Sequence, residues 1–467
     1  MEVLVLNGSP HGLKGVTAQY IEFLKIKFSQ YSFNTLEVAK KINKLENNVD
    51  YFHQVLQDIK NAEAIIWAFP VYTMLVPAQL KLFIELLFKR ADTKIFQGKI
   101  TTSISSSANF YDHTAHSYIE GISSDLGLKY VRGYSAEMRE ILSQNGRDNF
   151  FGFANDFFWR VAIDDNLEDK SIPKLINTSA DLQDIVLPNK VEKTNDKTIV
   201  IVSDANPDDY NLLKMLEFFD RIVPYKVEYV KLNEIKIKGG CIGCLKCGDG
   251  SSCFYKDEYA EAFAKVRHAD IVLYAGAIKD RFYSARFKKF IDRYFSNGHR
   301  HVLKAGLLGH IVSGALNQLP LMREGLEAHI EVAHTQRLGI ISDDNSVAED
   351  TLKQIQNMVL YLKHWTKSSQ WKTPQTFLGV GGGKIFRDLV YFNRAVMGAD
   401  YRFYKQNKLF DFPTRNYMQN FISRILMILQ IFPAMKKDIK KNMNKYRVKP
   451  YEKMIEKERN NETNNTR

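Results

Sequence analysis

One stretch of this chain occurs twice. Residues 62–85 (AEAIIWAFPVYTMLVPAQLKLFIE) align without gaps on residues 269–292 (ADIVLYAGAIKDRFYSARFKKFID), 207 positions later. Ala78 falls on Ala285, Lys81 on Lys288, and Phe83-Ile84 on Phe290-Ile291. Each copy reads as an apolar strand, a loop, and a helix closing on Phe-Ile-acid. Self-similarity at a fixed offset marks a duplicated structural unit. A chain of 467 residues has room for two or three domains of roughly 100–200 residues each. The fold must therefore be one that such a unit can build twice.

The unit alternates strands and helices. Val3-Leu4-Val5-Leu6-Asn7 is almost continuously apolar, as a strand buried on both faces of a parallel sheet must be. Gly8-Ser9-Pro10 breaks it, and residues 17–28 then take helical spacing. Ala64-Ile65-Ile66-Trp67-Ala68-Phe69 is a second buried strand, ended by Pro70. Residues 77–88 form the next helix, with Pro77 in its first turn, and residues 99–103 a third strand. Thr198-Ile199-Val200-Ile201-Val202 starts the pattern again. This order predicts an α/β protein with doubly wound, mostly parallel sheets in tandem. The expected divisions are 1–167, a polar linker at 168–197 carrying Pro173 and Pro188, a second unit at 198–345, and a helical, basic extension at 346–467. The Gly-rich run at 379–383 in that extension reads as a turn, because no Ser or Thr follows Lys384.

Composition narrows the function. Hydrophobic residues at 45% and charged residues at 25% exclude a disordered or fibrous chain. The net charge of +12 invites a nucleic-acid reading, but residues 416–467 hold 12 Lys/Arg against 5 Asp/Glu. That segment carries +7 of the total, so the main units offer no basic face to nucleic acid. No window reaches 18 uninterrupted apolar residues, which argues against a spanning helix. No basic segment precedes the first apolar run, so no signal peptide is expected, and the location expected is the cytoplasm.

The candidate site lies at the loops that follow the first unit's strands. Gly8-Ser9-Pro10-His11-Gly12-Leu13-Lys14-Gly15-Val16-Thr17 joins a strand to a helix. A helix N-terminus offers unpaired N–H groups and the positive end of the macrodipole, both suited to phosphate. The loop is neither a Walker A nor a Gly-x-Gly-x-x-Gly motif. Pro70-Val71-Tyr72-Thr73-Met74 closes the next strand, and Ser105-Ser106-Ser107-Ala108-Asn109-Phe110-Tyr111 follows the third. In open α/β sheets ligands bind at this edge, and Tyr72, Met74 and Phe110 suit a flat ring, although core packing is the commoner fate of such residues. His113 and His116 read as surface histidines. No catalytic acid or base stands out, and no hydrolytic triad is recognisable.

GSPHGLKGVT followed by PVYTMLVPAQLKLFIE resembles the NAD(P)H-dependent FMN reductases of the flavodoxin-like fold, over most of residues 1–140. The resemblance implies FMN with its phosphate on Ser9, His11, Gly15, Val16 and Thr17. Its ring would lie against Pro70, Val71, Tyr72, Thr73 and Met74 and the Ser106, Ser107 and Asn109 loop. NAD(P)H is the electron donor so implied. His11 stands where Arg or another residue is common, which a backbone-built phosphate site tolerates.

All four cysteines of the chain fall in the second unit: Cys241, Cys244, Cys247 and Cys253, spaced C-x2-C-x2-C-x5-C. Four thiols from one short loop suit an iron–sulfur cluster. A zinc site is the alternative, though zinc usually takes two separated C-x2-C pairs. The run resembles the cysteine motif of the iron–sulfur flavoproteins, relatives of the same reductases, and that resemblance implies a [4Fe–4S] cluster. Asp257 and Glu258 stand where that family opens a helix with an acidic residue.

The copies differ in a way that assigns one cofactor to each. The second unit's first loop, Ser203-Asp204-Ala205-Asn206-Pro207-Asp208-Asp209, carries three carboxylates that repel phosphate. One FMN per chain is expected, in the first unit, within an oxidoreductase that passes electrons to a small-molecule or protein acceptor. A non-catalytic electron carrier or redox sensor, or a scaffold with structural zinc, are the alternatives. Residues 417–432 form an apolar helix followed by Lys436, Lys437, Lys440 and Lys441. It is expected to pack on the body or across a homodimer, with weak membrane-surface contact as the alternative.

Overall fold

The computed structural model describes residues 1–164, 172–176, 178–344, 347–367, 375–412, 417–429 and a few positions beyond. The first unit contains β1 (Glu2–Asn7), β2 (Ser32–Leu36), β3 (Ala64–Pro70), β4 (Ile100–Ser107), β5 (Lys129–Tyr130) and β6 (Tyr134–Glu137). They run parallel in the order β2-β1-β3-β4-β5, with β6 beside the far half of β4. Its helices are α1 (Val16–Lys27), α2 (Ile42–Asn47), α3 (Val49–Asn61), α4 (Ala78–Arg90), α5 (Asp112–Leu126) and α6 (Gln144–Ala162). Alternate residues of β1 face opposite sides, as strand geometry requires. Leu4 and Leu6 join a core with α3, α4 and α5. Val3 and Val5 join another with α1 and α6. The apolar run Val3–Leu6 is thereby buried at every position.

The second unit repeats the plan with β7 (Thr194–Ser203), β8 (Tyr225–Lys231), β9 (Ile271–Lys279), β10 (Phe282–Tyr283), β11 (Leu307–Ser313) and β12 (Gln336–Ser342). The order is β8-β7-β9-β11-β12, parallel except for the short antiparallel β10. Both sheets thus show the 2-1-3-4-5 winding of flavodoxin-like folds. Helices α8 (Tyr259–His268), α9 (Ala285–Arg293) and α10 (Pro320–Val332) cover one face. Helices α7 (Tyr210–Ile222) and α11 (Ala348–Lys367) cover the other.

Three boundaries move. The expected linker, where described, is not loose chain: Ala180 and Leu182 are buried in the second core, and the Ala180 N–H donates to the Asp343 carbonyl at 2.9 Å. Residues 168–171 and 177 of it lie outside the described residues. The extension expected to start at 346 loses its first helix to the second unit, because Ile355, Met358, Val359 and Leu362 of α11 complete the sheet's second face. The Gly-rich run at 379–383 is not a turn. It lies inside α12 (Phe377–Phe392), where a Cβ on Gly382 would come within 2.9 Å of Phe110. Close approach to α10 and the Phe110 loop overrides the poor helix propensity of glycine.

Residues 1–404 form one compact unit and residues 405–467 another. Between them in sequence runs α13 (Gly398–Gln406), and the second holds α14 (Tyr417–Leu429). In α14, Phe421, Ile422 and Ile425 are exposed. No helix among the described residues is long and apolar enough to cross a membrane. Residues 460–467 are polar and expected to be disordered; all but Asn460 lie outside the described residues.

The two α/β halves meet through the repeated helices, α4 against α9. Asp292 at the end of α9 accepts the Ala78 N–H at the start of α4, at 2.8 Å. Glu85 in α4 accepts the Ala285 N–H at the start of α9, at 2.7 Å. Each carboxylate also holds the lysine one turn earlier in its own helix: Lys288 with Asp292, and Lys81 with Glu85 at 3.0 Å. Lys81, Lys288 and Asp292 are fully buried. Removing one member strands a buried charge, so Asp292→Ala should cost about 3–5 kcal/mol of unfolding free energy. Asp292→Asn, which keeps an acceptor for the Ala78 amide, should cost less. Denaturant titration of the three proteins measures both.

Candidate functional site

The loop after β1 is held open by its own hydrogen bonds. Asn7 Oδ1 accepts the Ser9 N–H at 2.9 Å, and the Ser9 and Gly12 carbonyls accept Gly12 and Gly15 amides at 2.9 and 3.1 Å. Gly12 takes φ +60°, a left-handed conformation that favours glycine. α1 then starts at Val16 with Gly15 as its N-cap and no side-chain cap. Its first amides are left for an anion. A Cβ at Gly15 would stand 2.5 Å from Ser9 Oγ. Thr17 is buried and its hydroxyl meets Ser106 Oγ at 2.6 Å, tying this loop to the loop after β4. The Val71 N–H donates to the Ser106 carbonyl at 3.1 Å, tying in the loop after β3.

These loops open on one cavity of about 380 Å³. Ser9, His11, Gly15, Val16, Pro70, Val71, Tyr72, Ser106 and Ser107 line it. Thr17 stands behind it. Thr73 and Met74 do not reach it and line a separate cavity. Asn109, at φ +57°, folds its amide back onto Ser107 Oγ at 2.8 Å and is not in the lining either, whereas its neighbour Phe110 is. The cover comes from far along the chain: Gly243 and Leu245 of the cysteine loop, Phe295 and His299, and Phe386, Leu389, Asn393 and Met397 in and after α12. No local sequence signal marks these as site residues. His299 is held by Asp400, with Nδ1 3.0 Å from the carboxylate, which also receives Arg300 at 3.2 Å. Of the two histidines expected at the surface, His113 is exposed and pairs with Glu324 at 2.8 Å. His116 is not exposed: its ring bridges Ser103 and Ser105 at 2.7 and 2.8 Å, and burial pushes its pKa down to about 4.

The four cysteines of the second unit are free thiols that open on a single small cavity of about 20 Å³, beside Tyr255, Arg293 and Phe295. Burial pushes the Cys241 thiol up to about 12. Arg293 is locked to Asp257 by two bonds of 2.8 and 3.0 Å and to the Gly239 carbonyl at 3.2 Å, fixing the base of the loop. Asp257 and Glu258 precede α8, where they accept the Lys238 and Lys236 amides at 3.0 and 2.7 Å. Among the described residues no group of three His, Cys, Asp or Glu is arranged to hold a metal ion. The donor set, four thiols on one cavity, suits a thiolate-bound centre.

The second unit's own strand-end loop is closed to phosphate. Asp209 accepts the Asn206 amide at 2.8 Å, and Ser203 Oγ accepts the Ala205 amide at 3.2 Å. Asp204 is buried against the Ser284 hydroxyl, and burial pushes its carboxyl up to about 6.

Residues 1–135 match the family model described as NADPH-dependent FMN reductase. No curated protein matches the chain. Similar solved structures include an FMN-dependent NADH-azoreductase from Bacillus anthracis (13% identity, 35% of this chain and 100% of that one, TM-score 0.28). Others are Smu.1420 from Streptococcus mutans (16%, 34% and 98%, 0.26) and the NAD(P)H:(acceptor) oxidoreductase FerB from Paracoccus denitrificans (14%, 35% and 97%, 0.28).

Gly15 gives the sharpest test of the loop. Gly15→Val should abolish retention of flavin through purification while the far-UV circular dichroism stays that of the parent. Flavin bound at the parental level would remove the loop from the site.

Proposed function

We propose that the chain is an NAD(P)H-dependent FMN oxidoreductase that binds one FMN, in the first unit. The observation that carries this reading is the convergence of three strand-end loops on one cavity, in the unit whose sequence matches the reductase family. The residues present fit the group. Uncapped amides at Val16 and Thr17, with the Ser9 hydroxyl, offer donors to a phosphate, and Pro70, Val71, Tyr72, Phe110 and Phe386 offer apolar walls to a ring. FMN, when bound, supplies hydride acceptance from a nicotinamide and one- or two-electron donation to an acceptor. The chain's own residues position it and keep water from it. The cover from residues 386–397 makes that exclusion a property of the whole 1–404 unit.

The four cysteines are proposed to hold the second redox centre, a [4Fe–4S] cluster, with zinc as the alternative. Two contacts favour a functional pairing of the sites. Tyr72, on the wall of the flavin cavity, donates its hydroxyl to the Ile242 carbonyl at 3.3 Å. A Cβ on Gly243 would lie within 2.7 Å of the Tyr72 ring. Both proposed centres would thus lie within one chain, and an electron acceptor, small molecule or protein, would draw on them in the cytoplasm. Weak contact with an anionic membrane surface is proposed for α14 and the exposed Lys436 and Lys437 that follow it.

Flavin and metal analysis of anaerobically purified protein tests this reading. One FMN per chain is expected, and two would sink the assignment to a single unit. Cys244→Ala should remove iron and its visible shoulder while flavin stays at one per chain. Zinc in the parent protein would convert the site to a structural one. For the tail, the full chain should co-sediment with phosphatidylglycerol vesicles several-fold more than the chain lacking residues 416–467, and equal sedimentation would end that proposal.

A further inference from the structure

A second cavity, of about 320 Å³, lies between the two α/β halves. The Thr73–Leu75 turn and α5 supply one wall. Residues 281–283, α9 and α10 supply the other. These are equivalent parts of the two repeats, so the cavity is built by the duplication itself. It lies behind the flavin loop: Val71 and Tyr72 line the flavin cavity, and Thr73, Met74 and Leu75 line this one. Met74 takes φ +55°, and its carbonyl accepts the Thr114 hydroxyl, so the turn is held between the two spaces.

The lining is almost wholly apolar, with Leu75, Phe282, Leu319, Met322 and Leu326 among its residues. Its one formally charged side chain, Arg281, is spent on Asp125 at 2.6 and 2.8 Å and on the Pro173 carbonyl at 2.5 Å. Among the described residues no free charge faces an occupant. Two polar atoms of lining residues are buried without partners, His310 Nε2 and Tyr118 Oη. The Tyr283 hydroxyl is 3.3 Å from His310 Nδ1, which is its hydrogen-bond partner. Burial keeps the ring neutral, holding it well below the usual histidine range. In the tautomer in which the Tyr283 hydroxyl donates to Nδ1, the imidazole proton sits on Nε2, and there His310 Nε2 and the Tyr118 hydroxyl can both donate. An unmade buried hydrogen bond costs about 1–3 kcal/mol, which an accepting oxygen would offset. Cavities of roughly 300–1,000 Å³ with apolar walls and a few placed polar groups are the usual form of small-molecule sites.

We propose that this cavity is a second ligand site, for an uncharged, largely apolar ring compound bearing a carbonyl oxygen that accepts from His310 and Tyr118. The site is independent of the flavin assignment, since nothing in it belongs to the phosphate or ring-binding set that lines the first cavity.

The full chain irradiated with benzophenone, an uncharged aryl ketone that cross-links where it binds, tests the proposal. Saturable labelling of peptides containing Met322–Leu326 or Thr73–Leu75, near one equivalent per chain, is the expected result. Gly325→Leu should abolish it. Gly325 lines the cavity, and a Cβ there meets nothing within 4 Å, so the new side chain occupies the space without moving the helix. The same change removes a helical glycine and should leave the thermal midpoint no lower than the parent's. His310→Phe should weaken labelling about tenfold, and cyclohexylbenzene, which lacks the carbonyl, should compete at least tenfold less well than unlabelled benzophenone. Labelling confined to Tyr72 or Phe386 peptides, labelling untouched by Gly325→Leu, or equal competition by the hydrocarbon would each overturn the proposal. Flavin content, measured on the same samples, reports the first cavity separately.

Discussion

A lysine–carboxylate pair buried with no water around it is costly unless its remaining acceptors are used. In this chain α9 supplies such a pair, Lys288 with Asp292, and α4 a partly exposed one, Lys81 with Glu85, and each carboxylate finds its further partner on the other helix. Asp292 caps α4, which begins at Pro77 without a cap of its own, and Glu85 reaches the first amide of α9. A negative charge at a helix N-terminus is favourable by the macrodipole as well as by the hydrogen bond. The exchange is reciprocal across the 207-residue offset, so it behaves as an isologous contact between two subunits would, although one chain supplies both. The halves cannot slide or rotate without breaking the bonds from the Ala78 amide to Asp292 and from the Ala285 amide to Glu85.

That contact sets where the loops fall. The strand-end loop after β3 immediately precedes α4, and the cysteine loop is tied to α9 through Arg293 and its bonds to Asp257 and Gly239. Packing α4 on α9 therefore brings Tyr72 against Ile242 and Gly243. The same docking leaves the symmetric space between α5 and α10 unfilled. Divergence of the copies is local by comparison. Acidic residues close one phosphate loop with their own side chains, while the other keeps glycines at the two positions where a Cβ would collide with Glu37 or Ser9.

The parts visible in the sequence are those where one physical requirement acts on contiguous residues. Strands buried on both faces are apolar over most of their length, so β1, β3, β7 and β9 could be read directly, whereas β4 is buried throughout with Thr and Ser at six of its eight positions. The repeat exposed α4 and α9, and the loops at the strand ends followed. What escaped depends on residues far apart. Gly379 to Gly383 look like a turn by propensity, but in α12 they let the backbone approach Phe110 and Glu331. His116 looks like a surface histidine until Ser103 and Ser105 are seen on either side of it. Thr73 and Met74 sit in the same pentapeptide as Tyr72, yet the left-handed turn at Met74 sends them to the other side of the loop. The cover of the strand-end cavity, residues 386–397, lies more than 270 positions beyond the loops it closes.

The distribution of these residues explains why the first unit is not a free-standing version of the whole. Its sheet lies within residues 1–164, and of its two cores one takes a single residue from beyond them, Phe282. The wall of its strand-end cavity does not. Phe110 packs on Phe386 with the rings tilted by 33° and centroids 4.1 Å apart, and Tyr111 donates its hydroxyl to the Leu378 carbonyl at 2.6 Å. The loop that bears them carries two non-glycine residues in the left-handed region, Asn109 and Tyr111, a conformation that surrounding contacts must hold in place. In this chain those contacts are made by α12. A site whose strained loop is held by the last helices of the 1–404 unit forms only when that whole unit has folded, so the duplication, the cover and the cavity are one cooperative structure rather than a reductase domain with additions.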